Sequence, residues 1–393
     1  MGTVEKEKIP SPSLVSRINP FTIVFPILTL IFLGMKAFPL GGNFIGGPDV
    51  FDYSFWNVYF FREQILSGSF PLWNPYMYCG HPYFANPANF VLYPFILLYV
   101  IFPLPWAFNI DLFVHLLIAG TGAFYFVRNI TGSQNAGLIS AIIYAFGGHL
   151  IDRIVAGHLT FVHSAALLPW VFYFIERALR TNRILNFILA GILLGLMVLT
   201  GNTQGCLYTA YFASLFFLVY YFIKFNKFNI KHFAEYSVCF LIVPVVSFGI
   251  SAAFLIPAWE FISLSDRAQE TYTFATSFSF PLQSLFTFLV PKPTGSSLYT
   301  VMYEFGCYIG ILSLFLALIG LILSKERRTA IGLLVLLLVS LTFVMGNYTP
   351  VYKIYYAFLP LIAKVRVPGR ALFMFVFFLS ILVGVGAKYL IED

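Results

Sequence analysis

The chain has 393 residues, of which 60% are hydrophobic and only 10% charged, with a formal net charge of +7. A soluble domain carries about 25% charged residues, so this composition excludes a water-soluble globular fold and defines an integral membrane protein. The positive charge does not point to nucleic acid, because it is not gathered into a patch and instead follows membrane topology.

The polar N-terminus, Met1 to Arg17, runs into a long apolar segment without a small-residue cleavage site, which argues against a cleaved signal peptide. A helix needs ~20 apolar residues to cross a bilayer. That criterion predicts spans near 20–38, 108–127, 135–151, 160–177, 184–200, 205–223, 233–256, 304–323, 329–346 and 371–390. If these alternate, Lys6/Lys8/Arg17, Arg128, Arg177/Arg180/Arg183, Lys224/Lys227/Lys231 and Lys325/Arg327/Arg328 fall on one side. The segments on that side hold the whole +7 excess and the other side is balanced. The positive-inside rule then puts both termini in the cytoplasm of a multi-pass cell-membrane protein.

One apolar run is left over, NFVLYPFILLYVIFPLPW at 89–106. Counting it as a span would move every later basic cluster outside. Parity therefore makes it a re-entrant or interfacial helix of the outer leaflet, which suits Pro94, Pro103, Pro105 and its row of aromatics. A true span is the rival reading. The expected architecture is a single all-α membrane domain, a polytopic bundle of about ten transmembrane helices, with three outer segments at 39–107, 257–303 and 347–370. Cys79, Cys206, Cys239 and Cys307 are scattered, with no CxxC pair, and read as single membrane-embedded thiols.

The first outer segment is long, wet and aromatic, and too aromatic to be disordered. It carries Asp49, Asp52, Glu63 and His81 beside Trp56 and Trp73. Asp49, just past the first span, can act as a general base toward a hydroxyl or hold a divalent cation through oxygen. A solvated acid or a helix cap after Gly-Pro is the bland alternative. His81 lies in the turn-rich run CGHPYFANP. His149, Asp152, Arg153, His158 and His163 cluster in GGHLIDRIVAGHLTFVH, and membrane-edge ionisable residues of this kind mark pathways or sites. Zinc ligation is conceivable, although the spacing is not a known ligand pattern; polar substrate contacts and interfacial hydrogen bonding are the other readings.

Gln204, in the outer turn GNTQG, can read sugar hydroxyls as donor and acceptor, or serve a plain glycine-bounded turn. Lys364, Arg366 and Arg370 in AKVRVPGRA stand on the side that should be poor in cations. An anionic partner, bound by bidentate guanidinium groups, explains them; snorkelling to phospholipid is the alternative. Glu304, in MYEFGCYIG, is a second membrane-edge acid able to pair with one of these arginines. The second outer segment adds Glu260, Asp266, Arg267, Glu270 and Lys292.

The runs GPDVFDYSFW and REQILSGSFPLWNPYMYCGHPYFANPANFVLYP, then GHLTFVHSAALLPW, LTGNTQGCLYTAY, YEFGCYIGILSL and KVRVPGRALF, resemble the YfhO-like membrane proteins in the same order, from about Gly46 to the end. Many members of that family are longer, with further spans and often an outer domain. The family in turn resembles the GT-C superfamily of polyprenyl-phosphate-dependent glycosyltransferases. The resemblance implies a GT-C-like bundle with juxtamembrane helices in the first outer loop and a catalytic or metal-holding acid just after the first helix, which here is Asp49. Asp52, Glu63 and Asp152 all qualify as a second acid.

The resulting expectation is sugar transfer on the extracytoplasmic side, from a polyprenyl-phosphate-linked sugar in the bilayer to an acceptor such as a glycolipid, an envelope polymer or a protein. Asp49 is the base or holds a possible divalent cation, and Arg366 and Arg370 neutralise the leaving phosphate. Asp52, His81, His158, Gln204 and Glu304 contact substrate. A lipid-linked-sugar flippase or transporter, and a non-catalytic envelope scaffold, are the rival readings. No internal repeat of the transporter kind is present.

Overall fold

The computed structural model describes residues 20–34, 45–225, 228–265, 271–291 and 302–392. The cluster Lys6/Lys8/Arg17 and Lys227, Asp266, Arg267, Glu270 and Lys292 lie outside the described residues.

Helix after helix follows the apolar runs. They are α1 (Pro20–Gly34), α2 (Phe55–Leu66), α3 (Leu104–Thr131), α4 (Gln134–Phe146), α5 (Gly148–Ala156), α6 (Leu159–Thr181), α7 (Ile184–Leu199) and α8 (Thr203–Lys224). Further along come α9 (Ile230–Phe240), α10 (Ile242–Ser263), α11 (Met302–Phe305), α12 (Ile311–Ile322), α13 (Arg327–Val344) and α14 (Leu372–Glu392), with shorter helical turns between them. Among the described residues, seven stretches are long and apolar enough to cross a bilayer: α3, α4 with α5, α6, α8, α9 with α10, α13, and α14 with the turn before it. Shorter apolar helices at 21–31, 184–199 and 311–322 coincide with three other expected spans.

Connections are tight and chemically specified. Gly132 ends α3 in the left-handed region and Ser133 caps α4, accepting from the Ala136 amide at 3.1 Å. Asn182 ends α6 in the same region, and Asn202 caps α8 through the Gly205 amide at 3.0 Å. The middle of the bundle is α14, 89% of whose apolar window is buried, with α6 at 83%; the α9–α10 stretch, at 22%, is peripheral and presents its apolar surface outward. α14 packs on α12, α4 and α13, α6 on α3, α7 and α8, and α10 along α7.

The run 89–106 makes no continuous helix. Short turns at Pro87–Asn89, Pro94–Leu97 and Leu98–Ile101 end before Pro103, and α3 starts at Leu104 with Pro105 in its first turn. Proline at Pro94 and Pro103 removes the amides a through-going helix needs. The pieces are pinned instead by Arg62 of α2. Its Nη1 donates to the carbonyls of Tyr99 (2.8 Å), Val100 (3.0 Å) and Phe102 (2.7 Å) at the open C-terminal end of the Leu98–Ile101 turn.

The rest of the first loop is knitted by buried amides and phenols. Tyr83 donates to the Asn57 carbonyl at 2.6 Å, Asn89 to the Tyr83 carbonyl at 2.9 Å, and Tyr53 to Asn89 at 3.0 Å. A two-residue hairpin, β1 (Trp73–Asn74) with β2 (His81–Pro82), closes its far end. Cys79 is exposed there, unlike buried Cys206 and Cys307, because it sits in the loop and not in the bundle. The expected span 304–323 is divided: α11 is separate from α12, and Gly310, at φ +88°, turns the chain between them. That break frees Glu304 from the span.

Candidate functional site

A cavity of about 510 Å³ opens where the first loop meets the starts of α6 and α8. Its walls include Asp49, Tyr53, Asn86, His158, Gln204 and Arg370. Two backbone contacts set its shape. Gly157, at φ +90°, closes α5, and a Cβ there would lie 2.6 Å from the Val50 amide; a Cβ on Gly47 would lie 1.9 Å from the Val155 carbonyl. Only glycine allows the loop to lie directly on the α5 terminus, and that contact puts Asp49 beside His158. Across the cavity Gly201, at φ +87°, meets the Pro87 carbonyl in the same manner.

Asp49 precedes a π-helical turn, Val50–Ser54, a form found often at functional sites. Its side chain is 59% exposed, and its Oδ2 lies 3.0 Å from Nε2 of His158. Nδ1 of His158 lies 3.2 Å from Nη1 of Arg153. A guanidinium only donates, so Nδ1 is the acceptor, and Nε2 carries the hydrogen that faces Asp49. The imidazole thereby orients the carboxylate and leaves its second oxygen for other partners.

Arg153 is buried and runs on to Glu304. Nη1 meets Oε2 at 2.5 Å, Nη2 donates to the Glu304 carbonyl at 2.9 Å, and the guanidinium carbon sits 4.7 Å above the Phe161 ring. Arg370 approaches the same carboxylate from the cavity side, Nη2 to Oε1 at 3.0 Å and Nε to Oε1 at 3.3 Å. Burial alone would raise the Glu304 carboxyl, but Arg153 and Arg370 outweigh it and hold it well below the usual carboxylate range. Gln204 closes the row. Its Oε1 lies 3.4 Å from Nη1 of Arg370, and its amide nitrogen donates to Tyr208 at 2.8 Å and to the backbone of the 366–367 turn. In that turn Val367 takes φ +62°, a strained conformation for a β-branched residue. It is held by hydrogen bonds from the Val367 amide to Ser277 (3.1 Å) and from the Arg370 amide to Val367 (3.0 Å).

Of the residues singled out from sequence, Asp49, His158, Gln204 and Arg370 line one cavity, with Glu304 tied to Arg370 behind them. Asp52 is exposed within the π-helical turn and is not in the cavity wall. His81 is buried in the hairpin, edge-on to Tyr78 at 5.8 Å, and is not in that wall either. Arg366 is exposed and joins the site through its carbonyl, which accepts from Gln204. Lys364 lies over the Trp259 ring at 4.9 Å.

The histidines of GGHLIDRIVAGHLTFVH do not act together. His149 bonds the Gly306 carbonyl at 2.9 Å, His163 turns into the bundle, and only His158 reaches Asp49. The sequence places Arg153 in a cluster with Asp152 and the histidines, and does not show that it links His158 to Glu304. The signal was present in the two acids expected at this membrane edge, for which a buried arginine is the natural counter-charge.

This is the fold of a polytopic, GT-C-like helical membrane protein with a charged cavity under its first long loop. The solved structure of ArnT from Cupriavidus metallidurans bound to undecaprenyl phosphate matches with a TM-score of 0.53 at 15% identity, covering 93% of this chain and 60% of that one. That likeness shows the fold alone. The archaeal oligosaccharyltransferase AglB from Archaeoglobus fulgidus, in complex with an inhibitory peptide and a dolichol-phosphate, matches at a TM-score of 0.40 and 13% identity, over 94% of this chain and 51% of that one. This chain thus spans about three fifths of the ArnT chain and half of the AglB chain. By sequence it belongs to the YfhO family: the model described as bacterial membrane protein YfhO matches residues 20–392. No curated protein matches it by sequence.

Proposed function

We propose that this chain transfers a sugar from a polyprenyl-phosphate donor to an acceptor hydroxyl at the extracytoplasmic membrane face. The observation that carries the reading is the cavity itself, with an exposed carboxylate on one wall and a guanidinium on the other. Its size, about 510 Å³, is that of a small-ligand site. The ArnT structure it resembles in fold holds undecaprenyl phosphate, and the positive-inside rule puts this end of the bundle outside.

In this reading Asp49, oriented by His158, accepts the proton of the acceptor hydroxyl as that oxygen attacks the anomeric carbon. The bond from that carbon to the phosphate oxygen breaks, and the polyprenyl phosphate leaves with the electron pair. Arg370 is the group placed to stabilise the charge gathering on the phosphate. Glu304 holds Arg370 in place, and Arg153 keeps Glu304 from standing unpaired. Gln204 contacts sugar hydroxyls from the α8 end. A divalent cation, if used, is held by the Asp49 carboxylate, whose outward oxygen is the donor such ions favour. Asp52 and Arg366 contribute from the loop surface, to acceptor binding and not to the chemistry, and buried His81 supports the hairpin behind them.

Membranes carrying the protein or Asp49→Asn, supplied with radiolabelled polyprenyl-phosphate sugars, test this. Label on a glycolipid, polymer or protein that disappears with Asp49→Asn supports the reading. Equal transfer by both removes Asp49 from the mechanism. Movement of labelled lipid across the bilayer without transfer makes the protein a flippase.

A further inference from the structure

Two turns into the bundle, on the other side of the loop, lies a second constellation. Asp111 and His115 sit at i and i+4 on one face of α3, the spacing by which a helix offers two ligands to one metal ion. His163, about one turn into α6, faces them. All three are buried, and one ligand atom from each lies within 4.8 Å of the others.

The hydrogen bonds define what this cluster lacks. Oδ2 of Asp111 receives the Tyr99 hydroxyl at 2.9 Å and Nε2 of His163 at 2.6 Å. Nδ1 of His115 bonds the Asp111 main-chain oxygen at 2.7 Å and lies 3.1 Å from Oδ1, while its Nε2 meets the Tyr93 hydroxyl at 2.8 Å. Nδ1 of His163 and Oδ1 of Asp111 are buried without a hydrogen bond. The opposite charges that face Asp111 are the two imidazoles. An imidazole nitrogen and a carboxylate oxygen buried in one cluster without a hydrogen bond are donors of the kind a divalent ion takes up.

We propose that Asp111, His115 and His163 bind a transition-metal ion, and that the ion is structural. Two imidazoles and one carboxylate suit Zn²⁺ first. Phe90 and Phe95, at 5.4 Å from His163 and 4.8 Å from His115, wall the cluster with apolar rings. The hydroxyls of Tyr93 and Tyr99 orient the ligands as outer-shell partners do. Both tyrosines come from the broken run 89–103, so the ion would fasten that run onto α3 and α6, just below the cavity. This site is separate from any cation at Asp49 and stands whether or not the transfer reading holds.

The test begins with the unaltered full-length chain, purified in mild detergent without added metal and analysed by plasma mass spectrometry and X-ray absorption at the metal edge. About one zinc per chain with histidine scattering is expected. A strong chelator should lower the melting temperature by several degrees, and Zn²⁺, but not Mg²⁺, should restore it. His163→Gln and His115→Gln should each lower zinc content at least tenfold, whereas Asp49→Asn keeps it. A folded, monodisperse wild type that holds no transition metal, and whose melting temperature added Zn²⁺ leaves unmoved, overturns the proposal in favour of a proton-filled hydrogen-bond cluster. Full zinc content in the His115→Gln/His163→Gln double variant overturns it equally.

Discussion

His158 and His163 stand five residues apart and each meets an aspartate, yet the two pairs live under opposite conditions. At Asp49 the carboxylate is largely exposed, the imidazole is turned by an arginine, and the neighbouring carboxylate of Glu304 is matched by two guanidiniums. At Asp111 the carboxylate is sealed among rings, with imidazoles and phenols in place of arginines. Exposure with fixed counter-charges suits a group that must exchange protons or contact substrate. Burial with imidazoles and no guanidinium suits a group that holds something in place. A histidine–carboxylate contact carries no functional meaning until both conditions are known.

The largest effect that would sharpen this contrast is Asp49→Asn. Transfer should fall on the order of 10²- to 10⁴-fold. The melting temperature should hardly change, since a solvent-exposed pair contributes about 1 kcal/mol or less. A large loss of stability would mean that Asp49 is a structural residue like Asp111, and the contrast would collapse. Next comes Arg370→Ala, expected to cost roughly 10²-fold in transfer rate, with Arg370→Lys intermediate because an ammonium keeps the charge but not the fork. A Lys variant with full activity would reduce Arg370 to a point charge.

Gly157→Val follows. A β-branched residue at φ +90° that also meets the Val50 amide should cost about 3 kcal/mol. Limited proteolysis should then cut the first loop, with metal at Asp111 retained. The smallest effect is the pH dependence of Glu304→Gln. Because the folded carboxyl is held low, its stabilising share is complete above the unfolded value of about 4.3 and fades as pH falls below it. The gap in melting temperature between wild type and Glu304→Gln should stay constant from pH 8 to pH 5 and narrow under more acid conditions. A gap that shrinks as pH rises would reverse the sign.

Much of the fold was legible because membrane helices are written in apolar length, and described helices coincide with the ten expected stretches. The run 89–106, expected as a re-entrant or interfacial helix, is instead a set of short turns, because Pro94 and Pro103 remove the amides that a continuous helix needs. The splitting of 304–323 was not legible, since apolar length alone does not reveal the turn that Gly310 makes at φ +88°. At the cavity, Asp49, His158, Gln204, Glu304 and Arg370 were all named from residue type and membrane side. The network joining them was not, because Arg153 pairs across 151 residues of chain, a partnership no local spacing encodes. The Asp111 cluster is hidden for a different reason: its i, i+4 pair stands in an apolar run, and His163 joins it from another span 52 residues on, which no local pattern encodes.

The contact of Gly47 and Gly157 has a consequence for how this protein tolerates change. The loop is docked at that point by main chain against main chain, with no side chain as intermediary. A saturation mutagenesis map should therefore look inverted there, with the two smallest residues the least replaceable and showy neighbours such as exposed Phe51 and Trp56 open to variation. Selection could then redraw the loop's chemical surface while the seat of the carboxylate stays fixed.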